Sequence, residues 1–194
     1  MIQQTKLDRE AAAAVARMTA GSGMDRDEAY KAARAAFGTT PDVRLVDEEI
    51  RRWFALFSPD AHARDLREKR LAALFVMKQL ADWHPLLTGA VLSGAATASE
   101  IPELLLTGNE KELELHFLSR RVPFEVVASE TAGRRESVTF LTTAMGIDIL
   151  ITVSTQHRMP RAGIPDTLQH PAEAAGKAGI KVLEALLLET NNED

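Results

Sequence analysis

The sequence contains no cysteine. That absence removes disulfides, thiolate zinc sites, iron–sulfur clusters and cysteine nucleophiles together, and it is compatible with a reducing compartment. There is no basic excess: 23 lysine and arginine residues face 28 aspartate and glutamate residues, for a net charge of −5. Residues 1–84 sum to +1 and residues 85–194 to −6, so neither half carries the cationic surface that tracks a phosphate backbone, and nucleic acid is disfavoured as a partner. No long apolar run is present. The uncharged stretch His84–Ser99 is interrupted by two glycines and several hydroxyls and falls short of the ~20 apolar residues that span a bilayer. The start, Met1-Ile2-Gln3-Gln4-Thr5-Lys6, leads into a charged helix without an apolar signal core, so the expectation is a cytoplasmic protein with no membrane segment. The five histidines show no His-x-x-x-His or His-x-Glu spacing, and no G-x-S-x-G, G-x-x-x-x-G-K-[ST] or G-x-G-x-x-G motif occurs. Zinc catalysis, the nucleophile elbow, the P-loop and the dinucleotide turn all lose their usual signatures.

What remains is ordinary globular material, 45% hydrophobic and 26% charged over 194 residues, long enough for a core without staples. Residues 7–82 carry apolar side chains at three- and four-residue spacing and predict four helices. Asp25 and Glu28 form a capping-box pattern with Met24 as a staple. The third helix ends at Phe57 and the fourth runs from about Asp60 to Trp83, where Pro85 follows. Trp53, Phe54, Phe57, Leu74 and Phe75 are expected in the core, and Arg64, Arg67, Glu68 and Lys69 in solvent. Strand patterns follow at Leu86–Leu92, Ile101–Thr107, Val122–Ala128, Glu136–Thr142 and Ile147–Ser154. A helix capped by Asn109 lies between the second and third, and Gly133-Arg134-Arg135 and Ala144-Met145-Gly146 suggest hairpin turns. A last helix is expected at about Ala174–Leu188. The chain reads as α+β, a helical region at 1–84 followed by a mixed sheet with flanking helices at 85–194, with no internal repeat.

The most informative stretch is Gly89-Ala90-Val91-Leu92-Ser93-Gly94-Ala95-Ala96-Thr97, followed by Glu100-Ile101-Pro102-Glu103. An acidic helix start, Asn109-Glu110-Lys111-Glu112-Leu113-Glu114, and the segment Val122-Pro123-Phe124-Glu125-Val126 come next. In that order these pieces resemble the nucleotidyltransferase-like superfamily, in particular a bacterial branch of small proteins with a helical N-terminal region. The motifs cover about Leu86 to Val127. The resemblance implies a nucleotidyltransferase-like mixed sheet and, in active members, two magnesium ions held by carboxylates from two neighbouring strands. Two divalent ions neutralise the triphosphate and activate the attacking oxygen, and magnesium takes carboxylate oxygens.

Carried over residue by residue, the first metal ligand falls on Glu100 and the third on Asp148. The second falls on Pro102, which has no oxygen side chain. Glu103 is one residue late and points to the opposite face of a regular strand unless a bulge realigns it. The family's Gly-Ser order at the turn stands here as Ser93-Gly94. The expectation is therefore a degenerate metal site in a non-catalytic nucleotide-binding or regulatory module. Its phosphate contacts would be the backbone N–H groups of Ser93, Gly94, Ala95, Ala96 and Thr97. Two alternatives stand beside it: an active magnesium-dependent enzyme using Glu100, Glu103 and Asp148, with Glu100 and Asp148 as metal ligands, and a structural or oligomerisation protein, with a homo-oligomer left open. Arg120-Arg121, Arg134-Arg135 and Arg158/Arg161 are the basic clusters of the second half, available to phosphate if the fold gathers them.

Overall fold

The computed structural model describes residues 2–132, 135–155 and 162–189. Four helices come first: α1 (Ile2–Ala16), α2 (Arg26–Phe37), α3 (Val43–Phe57) and α4 (Pro59–Gln79). A π-helical turn at Arg17–Gly21 ends α1. Asp25 caps α2 by accepting from the Asp27 and Glu28 amides, and Gly38, at φ 69°, closes it in the left-handed region. After a single 3-10 turn come β1 (Leu86–Thr88), α5 (Gly89–Ser93), β2 (Glu103–Thr107), α6 (Glu110–Arg120), β3 (Phe124–Ala132), β4 (Arg135–Ala144) and β5 (Ile147–Ser154). Two short helices, α7 (Pro171–Ala174) and α8 (Ile180–Glu189), complete the described chain.

The strands form one mixed sheet in the order β1-β2-β5-β4-β3. β1 runs antiparallel to β2, while β2 and β5 are parallel, with Glu103 opposite Leu150. The α+β reading therefore stands, with helices first and the sheet in the second half. Several boundaries differ from the sequence reading. The 86–92 run is not one strand: at Gly89, φ 71° turns the chain, and Gly89–Ser93 coil into a helix, an ambiguity that a short apolar run always carries. Strand β2 starts at Glu103 because Pro102 cannot donate to a ladder; its carbonyl instead accepts from the Leu150 amide. The final helix breaks into α7 and α8 around Gly176, φ 75°. The Gly133-Arg134 turn and the Arg158/Arg161 pair lie outside the described residues.

One face of the sheet, carrying Leu104, Leu106, Phe140, Ile149, Ile151 and Val153, packs under α4 and α6 and is fully buried. α4 belongs to this core through Leu66, Ala73 and Met77. A second cluster joins α1, α2 and α3 through Val15, Ala33, Val46 and Ile50, and Ala95 from the loop after α5 inserts into it. Leu74 is buried as expected, and Trp53 and Phe54 are half-buried, but Phe57 and Phe75 are 68% and 51% exposed. Lys69 also departs from expectation: it is buried, for a reason that emerges at the loop.

Candidate functional site

The turn after α5 is where the predicted residues meet. Gly94 has φ 81° and ends α5, accepting no side chain readily: a Cβ there would lie 3.3 Å from Glu173 Oε1. Ala95, Ala96 and Thr97 are buried. The Ala95 amide donates to the Ala90 carbonyl, and the Thr97 amide donates to Glu100 Oε2 at 2.8 Å. Those two amides are thus engaged within the loop.

The carbonyls face outward onto a ring of cationic and amide side chains. Arg70 donates from Nε to Val91 O and from Nη2 to Leu92 O, and Arg51 Nη1 donates to Ser93 O. Gln169 also reaches Ser93 O, and His62 Nε2 lies 3.0 Å from Gly94 O. Arg26 Nη2 donates to Ala95 O, and Lys69 Nζ donates to Thr97 O at 2.7 Å. That last bond explains the burial of Lys69, whose ammonium also pairs with Asp65. Five helical side chains therefore satisfy a buried loop that has no sheet or helix partner of its own.

Glu100 sits in this loop, outside β2. Its carboxylate accepts from the Thr97 amide and from Arg26 Nη2, and Arg26 Nε lies 2.6 Å from Oε1 as an ion pair without an aligned hydrogen bond. The same guanidinium bonds Asp47 Oδ1 at 2.6 Å, and Asp47 Oδ2 accepts from Ser93 Oγ. Burial alone would lower the Arg26 pKa; the charges of Asp47 and Glu100 outweigh it and raise it further, so the side chain stays cationic. Tyr30, beside this group, has a buried hydroxyl with no hydrogen-bond partner, and its pKa is pushed up to about 12, chiefly by burial.

Glu103, the first residue of β2, projects from the outer face of the sheet. Its carboxylate lies over Gly89, where a Cβ would come within 3.0 Å of Oε2. Partial burial of that carboxylate, then the charge of Glu100, holds its pKa above the usual carboxylate range against the opposing pull of Arg26. Asp148 shares the outer face, one pleat away along β5, and accepts from Thr143 Oγ1 at 2.7 Å in the β4–β5 hairpin. The fold thus brings Glu100 and Glu103 within electrostatic reach of each other and engages Asp148 elsewhere. Among the described residues no group of three or more histidine, aspartate or glutamate side chains could hold a metal ion.

The residues that sequence reasoning missed are Arg26, Asp47, Arg51, Lys69, Arg70, Asp166 and Glu173. One signal was available: Arg70 falls on the Leu66–Ala73–Met77 stripe of α4, and a charge on an apolar stripe announces a buried partner. A separate apolar cavity of about 530 Å³ between α1, α2 and α3 is lined by Trp53, Leu56, Phe57 and Phe37 with Glu10, Arg17, Glu49 and Arg52 near it, and it contains none of the groups above. No helix among the described residues is long and apolar enough to cross a membrane. Set against known proteins, the chain matches no family model, no curated protein and no solved structure.

Proposed function

We propose that this chain is a non-catalytic binding or regulatory module with a nucleotidyltransferase-like layout. The observation that carries the reading is the position of Arg26, whose guanidinium lies between Asp47 and Glu100 and pairs with both. A divalent ion at Glu100 would have to displace a cation that is already well matched to that carboxylate. Pro102 supplies no oxygen, and Asp148 bonds Thr143 instead of turning towards Glu100. Magnesium needs several oxygens converging at ~2.1 Å, and Glu103 alone does not replace them. The ligand that fits the reading is a nucleotide or another phosphate compound bound without turnover.

An active magnesium-dependent nucleotidyltransferase is the rival, and one observation favours it: burial and then the charge of Glu100 raise the proton affinity of the Glu103 carboxyl, and a nearby like charge is what a cation relieves. The test is incubation with each labelled nucleoside triphosphate and magnesium or manganese, with protein, RNA and small acceptors, alongside Glu100→Ala and Asp148→Ala. No incorporation is expected. Incorporation by the wild type that both substitutions abolish would establish the enzyme.

A further inference from the structure

Arg51 and Arg70 are unusual among the cations of this chain. Both are buried, at 8% and 3% exposure. Each is fixed on one side by carbonyls of the last turn of α5, Arg51 by Ser93 O at 3.0 Å and Arg70 by Val91 O at 3.0 Å and Leu92 O at 2.9 Å. A guanidinium is planar with five donors in a rigid fork, so anchoring one edge fixes how the other is presented. The two guanidiniums rest on consecutive carbonyls at the C-terminal end of α5, and a Cβ at Gly94 would lie within 4 Å of both the Arg51 side chain and the carboxylate paired with Arg70.

The free edges are both filled from one segment, residues 162–174. Asp166 Oδ2 takes Arg51 Nε at 3.1 Å and Nη2 at 2.6 Å, and Glu173 Oε1 takes Arg70 Nη2 at 2.5 Å. The segment's other ties to the body include Gln169 Nε2 on Ser93 O. Residues 162–170 form neither helix nor strand, none of them is buried, and Ile164 is 94% exposed. This stretch is held by charge and hydrogen bonds more than by apolar burial. An anion that reproduces those bonds can therefore replace residues 162–170 at little cost in buried apolar area, and the buried Glu173 and Ala174 of α7 add a small burial cost at the Arg70 end. The converse constraint is strict: with the segment lifted and nothing in its place, two buried guanidiniums lose their counter-ions, a costly state. Segment or anion must be present.

We propose that Arg51 and Arg70 form a latent site for a phosphate-bearing ligand, which the 162–174 segment closes by setting Asp166 and Glu173 where the ligand's anionic oxygens would lie. Phosphate oxygens match the bidentate fork, and two adjacent guanidiniums suit a diphosphate. Ligand and segment compete, so the surface of the 162–174 region changes with occupancy, which is what a regulatory module requires. The inference rests on the reading of the chain as a binding module, and it moves phosphate recognition from the 93–97 amides to these side chains.

The test is calorimetric titration of inorganic pyrophosphate into the full chain, its Asp166→Asn variant and the Arg51→Met/Asp166→Asn double variant, with chloride at matched ionic strength as the control. Asp166→Asn is expected to bind pyrophosphate at least roughly tenfold more tightly than the wild type, and the double variant to lose the gain. An ATP arm separates the sources: tighter binding than pyrophosphate assigns a nucleotide, and equal binding assigns the phosphate groups alone. In the wild type, saturating pyrophosphate is expected to speed amide exchange across residues 163–174. No gain in a folded Asp166→Asn, a gain that survives Arg51→Met, or unchanged exchange in the wild type would overturn the proposal. Failure here without nucleotide transfer leaves the non-catalytic reading standing, whereas transfer with pyrophosphate binding intact overturns that reading and keeps this one.

Discussion

Replacing Arg26 by methionine removes a cation while keeping most of the side chain's length. In the folded protein the Arg26 side chain is 19% exposed, against 14% for Asp47 and 20% for Glu100. The substitution leaves both carboxylates, and the Ala95 carbonyl, without their cationic partner. Breaking a fully buried ion pair by removing one member costs roughly 3–5 kcal/mol. About a fifth of this cluster is open to water, which screens the loss to roughly 2–4 kcal/mol. At about 2–4 °C per kcal/mol for a chain of this size, the expected fall in Tm is about 4–16 °C. Arg52 is the internal control. It pairs with Glu48 and Glu49 on the same helix, but its side chain is half exposed, so Arg52→Met should cost less than about 1 kcal/mol. Adding Asp47→Asn to Arg26→Met should restore part of the loss, because it removes one of the two carboxylates left without a cation. Urea unfolding followed by far-ultraviolet circular dichroism measures all four proteins. An Arg26→Met variant within about 0.5 kcal/mol of wild type, the range of ordinary surface changes, would refute the idea that this guanidinium holds the Asp47–Glu100 pair.

Leu104→Ala, in the buried face of β2, should lose about 2–5 kcal/mol, whereas Phe57→Ala, 68% exposed, should stay within about 0.5 kcal/mol in the same unfolding assay. Gly94→Ala should cost more than Gly38→Ala: both sit at positive φ, but only at Gly94 does a Cβ meet a carboxylate oxygen, at 3.3 Å, while nothing lies within 4 Å at Gly38. Burial against Phe54, whose ring stacks on it at 3.9 Å, lowers the His62 pKa, with Arg70 and Lys69 acting the same way and the Gly94 carbonyl and Asp65 opposing. The unfolded chain takes up that proton near pH ~6.5 and the folded chain only at lower pH. The neutral imidazole therefore contributes stability that is full above pH ~6.5 and lost as pH falls through the folded value. His62→Gln should flatten that part of the stability–pH curve.

Local signals were legible where the determinant is local. The Asp25 and Asn109 caps and the apolar stripes of the first four helices needed only neighbouring residues, and β5 was bounded correctly by its apolar alternation. The 86–92 run was not legible, because Val91 and Leu92 are buried equally well by a strand or by a helix, and the positive φ at Gly89 decides between them. Phe57 and Phe75 carry core-like side chains, but which helix faces meet is a tertiary matter. At the site, sequence singled out Glu100, Glu103 and the 93–97 turn, and the fold does bring them together. It did not reveal what holds them. Arg26 reaches Asp47 across 21 residues and Glu100 across 74, and Arg51 reaches Asp166 across 115; no spacing rule encodes pairings at that range. Asp148 was chosen for its place on a strand, and its bond to Thr143 depends on the hairpin register.

In the proposed module Glu100, Glu103 and Asp148 form no two-metal centre, because Arg26 already serves Glu100. Anomalous scattering from crystals soaked in manganese with a nucleoside triphosphate tests it most directly. Arg26 is expected to remain seated between Asp47 and Glu100, with no manganese peak within ~2.1 Å of the Glu100 or Asp148 oxygens. A pair of peaks bridged by Glu100, Glu103 and Asp148, with the Arg26 guanidinium displaced, would contradict it.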